Sequence, residues 1–180
     1  MLRQKITMGD KSLEQTSYYT ENYVVSQILD KTTLYIAAEN RQYLVDTTQK
    51  TLKSIDLSQQ MMQINQLKVA VGALQVTESA EENARKLLIS NQAENIQIKA
   101  EIQIRSYPLL AQTCNQSYQD FINSLQLFSV VLQPNEYIAR SYVKFSFNNQ
   151  TKITNIETVQ IEQIKDKTHK QDAYLKYKKL

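Results

Sequence analysis

The chain has 180 residues, a net charge of +3, two glycines, two prolines and no tryptophan. This is the length of one domain with room for a core; the composition excludes collagen-like, Gly-loop and Pro-rich designs, and the charge is too small to imply a nucleic-acid partner. A single cysteine, Cys114, excludes an internal disulfide, and no apolar run reaches membrane-spanning length.

The N-terminal third predicts successive antiparallel strands. "LRQKITM" stops at the turn signal Gly9-Asp10-Lys11. "EQTSYYT", "NYVVSQIL", "TTLYIAA", "RQYLVDT" and "TLKSIDL" follow, broken at Glu21, at Glu39-Asn40 and at Thr48-Gln49-Lys50. Each run has ordinary strand length and is enriched in Tyr, Val, Ile and Thr. Short links imply hairpins and hence a meander.

The period then changes. Leu57, Met61, Ile64, Leu67 and Val71 recur at helical spacing. Asp56 with Gln59 reads as a capping box and Gly72 as the residue past the end. "ALQVTES" reads as a strand. "SAEENARKLL" reads as a short helix or an irregular loop, with Ser79 and Glu82 spaced as a cap and Glu81-Glu82 and Arg85-Lys86 placed to suit a helix dipole.

"NIQIKAEIQIR" is the clearest strand. Ile96, Ile98, Ala100, Ile102 and Ile104 alternate with polar residues, so one face is dry and one wet. A second helix is expected after Ser106 and Pro108, with Leu110, Cys114, Tyr118, Phe121, Leu125 and Phe128 on one stripe. Pro134 marks its exit. Two strands, "YIARSYVKFSF" and "TKITNIETVQIEQI", come last. Residues 1–180 read as one domain, in which 165–180 forms a flexible basic tail or an edge strand.

The order of elements predicts an α+β fold: a curled antiparallel sheet with two main helices on its concave face. The helices either plug that hollow or leave an apolar cavity. Met61, Ile64, Leu67, Phe121, Leu125 and Phe128 are the candidate ligand-binding residues, since flexible Met and large Phe side chains suit an apolar lining as well as a core.

No catalytic motif stands out. His169 is the only histidine and lies in a polar, basic stretch with no partner ligand nearby; Cys114 falls on an apolar stripe. Glu78, Glu81 and Glu82 lack the alternate spacing of a calcium loop. The chain therefore reads as non-enzymatic, with no cofactor and no metal. The C-terminal lysines with Tyr174 and Tyr177 read as a solvated end, with contact to anionic lipid or nucleic acid as the sharper option.

"TSYYTENYVVSQILDKTTLYIAAENRQYLVDTTQKTLKSIDLSQQ" resembles the N-terminal half of the bacterial outer-membrane lipoprotein carriers and their extracytoplasmic relatives. Leu34-Tyr35-Ile36, Tyr43-Leu44-Val45-Asp46 and Lys53-Ser54-Ile55-Asp56 occupy the places of three successive strands that end near a helix. The resemblance implies an incomplete barrel with helices inside it and a periplasmic or cell-envelope location, with the signal segment absent from this chain. It also implies an apolar ligand or a lipidated protein as partner, with peripheral membrane contact. A protein-interaction or structural module with a closed core is the competing expectation. Oligomeric state is not legible.

Overall fold

A computed structural model describes residues 1–91, 93, 96–108, 116–124, 126–128, 130–133, 135–148, 150–162 and 170–180. The N-terminal strands are β1 (Leu2–Met8), β2 (Lys11–Tyr19), β3 (Tyr23–Ile28), β4 (Lys31–Ile36), β5 (Arg41–Asp46) and β6 (Thr51–Ser54). Helix α1 (Ser58–Val71) leads to β7 (Leu74–Glu81), β8 (Ala84–Asn91) and β9 (Ile96–Ser106). After α2 (Gln116–Ser124) come β10 (Glu136–Phe147), β11 (Gln150–Ile161), a 3-10 stretch (Lys170–Lys176) and the two-residue β12 (Lys178–Lys179).

All twelve strands form one sheet, in the order β12-β6-β5-β4-β3-β2-β1-β11-β10-β9-β8-β7. Two meanders, β1–β6 and β7–β11, meet where β1 pairs with β11. Every contact is antiparallel except that of β12 with β6. With glycine scarce, the turns place other residues at positive φ: Leu29 (52°), Asn40 (46°), Lys50 (52°) and Asn148 (47°). Gly9 (61°) occupies the first position of the two-residue β1–β2 turn.

The expected strand alternation is found in β9. Ile98 and Ile102 are each 1% exposed, Lys99 is exposed and Gln103 half-exposed. The Ile face packs with Leu87, Ile89, Val130 and Phe128. At the other end, β3 is buried on both faces. Tyr23, Val25 and Leu34 pack with Tyr174 and Tyr177 of the C-terminal segment. Val24 and Tyr35, on the opposite face, pack with Tyr118 and Phe121 of α2.

The C-terminal segment is thus an edge strand with a packed lead-in. The Lys178 and Leu180 amides donate to the carbonyls of Lys50 (3.1 Å) and Leu52 (2.9 Å), extending the sheet beyond β6.

The expected α+β arrangement, with two main helices on a concave face, is overturned. The fold is a mostly antiparallel twelve-stranded sheet with α1 as its one long helix among the described residues. Only Val71 of α1 is buried, while Met61, Met62, Leu67 and Val69 are exposed. Met62 and Val69 lie off the predicted stripe, so the apolar surface is spread around the helix and gives it no dominant face to bury. Asp56 accepts from the Ser58 amide (2.9 Å), but the N-cap residue is Leu57, which makes no side-chain cap bond. The described part of the second helix spans nine residues. At its end the Ser124 hydroxyl donates to the Phe121 carbonyl (2.6 Å), a local bond that competes with the helix ladder. Leu110, Cys114 and Leu125 lie outside the described residues.

"SAEENARKLL" is neither helix nor irregular loop but the β7–β8 hairpin, turning at Glu82-Asn83. Its charges resemble helix termini, yet Leu87 and Ile89 alternate and find the Ile face of β9. Tertiary packing overrides the local pattern.

Candidate functional site

The seam between the two meanders is where the inner face turns polar. Along β1, Leu2, Gln4 and Ile6 point to one side, and their partners across β2 are Ser17, Gln15 and Leu13. Gln4 Nε2 donates to Thr158 Oγ1 (3.3 Å), which donates onward to the Ile138 carbonyl (2.7 Å). That carbonyl lies beside the β9–β10 register shift between Ile138 and Arg140, where the ladder is interrupted. Gln15 Nε2 donates to Ser17 Oγ (3.2 Å), and Ser17 Oγ shares a hydrogen with Ser26 Oγ (3.0 Å). Each glutamine commits one amide hydrogen to the sheet and keeps its carbonyl oxygen as an acceptor.

Helix α2 stands over this floor. Tyr118 meets Tyr35 (ring centroids 5.2 Å apart) and Tyr19 (5.8 Å, edge-on), and Phe121 meets Tyr35 at 4.9 Å. Between helix and sheet lies a cavity of about 270 Å³. Its floor is Gln4 and Gln15 with Ile6 and Ile156; its walls include Tyr19, Tyr118, Ile122, Leu132 and Ile138.

Glu136 is the one ionised side chain among the described lining residues. Arg85 grips it through Nε (3.2 Å) and Nη2 (2.8 Å), and the Gln133 amide adds a third bond (2.9 Å). Burial opposes ionisation of Glu136, but the Arg85 and Gln133 hydrogen bonds and the Arg85 charge outweigh it and hold the carboxyl below its ordinary range. Arg85 also binds Glu78 (3.1 Å) and the Val131 carbonyl (2.7 Å), so its charge is consumed by the protein.

Two other hollows are chemically different. One of about 310 Å³ lies between Lys68 and Val71 of α1, Leu74 and Val76 of β7, and Phe128. Another, of about 530 Å³, is on the sheet's opposite, polar face. It is lined by Lys86–Glu101 (2.7 Å) and Arg140–Glu157 (3.0 Å), ion pairs of a solvated surface.

Of the six sequence-predicted site residues, the five that are described line no common cavity among the described residues. Met61 and Leu67 are exposed on α1 and Ile64 is half-buried there. Phe121 rests on Tyr35, and Phe128 lines the 310 Å³ cavity. Leu125 lies outside the described residues, as do Cys114 and His169. Gln4, Gln15, Ile122 and Ile138 do not stand out in the sequence, and Tyr19 reads there as a sheet residue. The available signal was a glutamine at an inward position of β1, between Leu2 and Ile6, and another at the matching place in β2.

Among the described residues no group of three or more His, Cys, Asp or Glu side chains could hold a metal, and no helix is long and apolar enough to cross a membrane. No protein-family model and no curated protein matches the chain.

Proposed function

We propose that the protein binds an amphipathic, lipid-like small molecule in the cavity between α2 and the β1–β11 seam. The observation that carries this reading is the aromatic and aliphatic wall of Tyr19, Tyr118, Ile122 and Ile138 above a floor of two carboxamides. Apolar lining with a few placed polar groups is the ordinary make-up of a ligand site. At about 270 Å³ the space sits just below the ~300–1,000 Å³ of such sites, which suits one medium chain. Each methylene buried there contributes about 0.8 kcal/mol.

The polar lining sets the head group. The carbonyl oxygens of Gln4 and Gln15 accept, and Glu136 is negative; the cation bonded to it, Arg85, is already engaged by Glu78 and the Val131 carbonyl as well. A hydroxyl, amide or amine is favoured, and a carboxylate is repelled. The role is binding rather than catalysis. An exported, cell-envelope setting, in which the cavity shelters an acyl chain or a partner's lipid anchor, belongs to the same proposal and extends the resemblance to lipoprotein carriers.

The test is displacement of the neutral fluorophore N-phenylnaphthylamine by decanol, decylamine or decanoate. Saturable displacement in which the alcohol and amine outcompete the carboxylate is expected. The Ile122→Trp variant should lose binding while keeping its melting temperature. No saturable binding to the unaltered protein would sink the reading and favour an interaction module with a closed core.

A further inference from the structure

The two edges of the sheet are built in opposite ways. At one, β12 is two residues long and both are lysines, Lys178 and Lys179. A short, cationic strand blocks further pairing. At the other, β7 has eight residues, and all but Leu74 are exposed. It carries no lysine and no proline, and it pairs with β8 without a bulge. Of the usual devices against edge-to-edge association it keeps only charge, at Glu78 and Glu81, and Glu78 is drawn to Arg85 of the neighbouring strand.

From this asymmetry we infer that β7 is a self-association edge, on which a second copy of the chain adds its own β7 antiparallel. The register follows from symmetry and charge. A two-fold axis perpendicular to the sheet keeps each face on its own side, so only residues of like parity sit opposite one another. Centring on Glu78 sets two carboxylates against each other, which is unfavourable. Centring on Thr77 pairs Thr77 with its own mate, Val76 with Glu78, Gln75 with Ser79 and Leu74 with Ala80. No like charges are then directly opposite; the two Glu78 carboxylates meet only on the diagonal, each held by its own Arg85, and the pairing runs the longest stretch of β7 that this allows.

The neighbouring 310 Å³ cavity supports the same occupant. Leu74 and Val76 of the edge strand line it, and Val76 is 58% exposed. A mate strand would bring its Val76 to the diagonal position beside this one, within reach of side-chain contact. The inference does not depend on the ligand cavity at the seam.

Sedimentation velocity across a concentration series tests it. The unaltered protein should show a monomer–dimer equilibrium. Thr77→Lys places like charges opposite at the axis and should weaken it roughly fivefold, with unchanged circular dichroism. Thr77→Glu should do the same, and an equal mixture of the two variants should associate again, because Lys then faces Glu. A protein that is monomeric at every concentration overturns the inference. So does a Thr77→Lys variant that dimerises as tightly as the parent, or a mixture no tighter than its components.

Discussion

The Tyr23 hydroxyl donates to Asp172, a residue 149 positions later in the chain. This bond fastens the 3-10 stretch of the C-terminal segment onto the core of the first meander, where Tyr174 and Tyr177 cover Val25 and Leu34. Burial first, and then the Asp172 hydrogen bond and charge, push the Tyr23 hydroxyl well above the ordinary tyrosine value. Below about pH 10 the tyrosine holds its proton in folded and unfolded chains alike, and the contribution is complete. Above that the unfolded chain loses its proton first, so stability falls as pH rises towards the folded value. Tyr23→Phe should cost about 1.5–3 kcal/mol at pH 8 in urea denaturation, the worth of a hydrogen bond to a charged group. It should also lose stability less steeply above pH 10. Parallel alkaline profiles for parent and variant would show that the bond does not carry this dependence.

Leu29 stands at the first position of the two-residue β3–β4 turn with φ of 52°, the place and conformation that Gly9 holds in the β1–β2 turn at 61°. A two-residue hairpin with positive φ at this position alone takes glycine there, and a branched residue at positive φ costs roughly 1–2 kcal/mol. Leu29 is 75% exposed, so little packing offsets the strain. Leu29→Gly should therefore raise stability by about 0.5–1 kcal/mol, the strain relieved less the greater entropy of unfolded glycine. An unchanged or lower denaturation midpoint would contradict this account of the turn.

These examples show why parts of the fold were legible and parts were not. The β9 alternation is local and strong, so Ile98 and Ile102 were readable as core. The breaks at Gly9, Asn40 and Lys50 were readable because the chain reverses there within a few residues. The hairpin at Glu82-Asn83 was not, because Arg85 looks like the cationic end of a helix until its partners Glu78 and Glu136 are known, and Glu136 is 51 residues away. Helix α1 has the right period, but Met62 and Val69 stand outside its stripe and only Val71 is buried, so the period alone did not foretell how little of the helix is covered. The seam is the extreme case. Gln4 and Thr158 meet across 154 residues, so the cavity floor is a product of topology.

Glu136 gives the acid-side counterpart of Tyr23. Its depressed value means that the Arg85 pairing contributes fully above the ordinary glutamate range, near pH 4.3, and is lost as pH falls through the lower, folded value. Glu136→Gln should cost about 1.5–3 kcal/mol at pH 7 and flatten the decline in stability below about pH 4.3. If the acid limb keeps the parent's slope, another carboxylate governs it. The same variant removes the one charge among the described lining residues, so decanoate should then compete more nearly as well as decanol.

Phe121 separates the stability of α2 from that of the sheet. The described helix touches the sheet through Tyr118 and Phe121 on Tyr35, Tyr19 and Val24. The Ile face of β9 has its own cluster with Leu87, Ile89 and Val130. Replacing a fully buried Phe by Ala costs about 3–5 kcal/mol; Phe121 is only half-buried, so Phe121→Ala should cost less, about 1–3 kcal/mol. The loss should be local. Amide exchange should speed up across residues 118–124, while β9 amides keep exchange rates limited by global unfolding. The helix forms one wall of the seam cavity, so fluorophore binding should weaken at temperatures where the sheet remains folded. Equal acceleration in α2 and β9 would mean that helix and sheet unfold as one unit, and the cavity wall would then have no independent motion through which a ligand could enter.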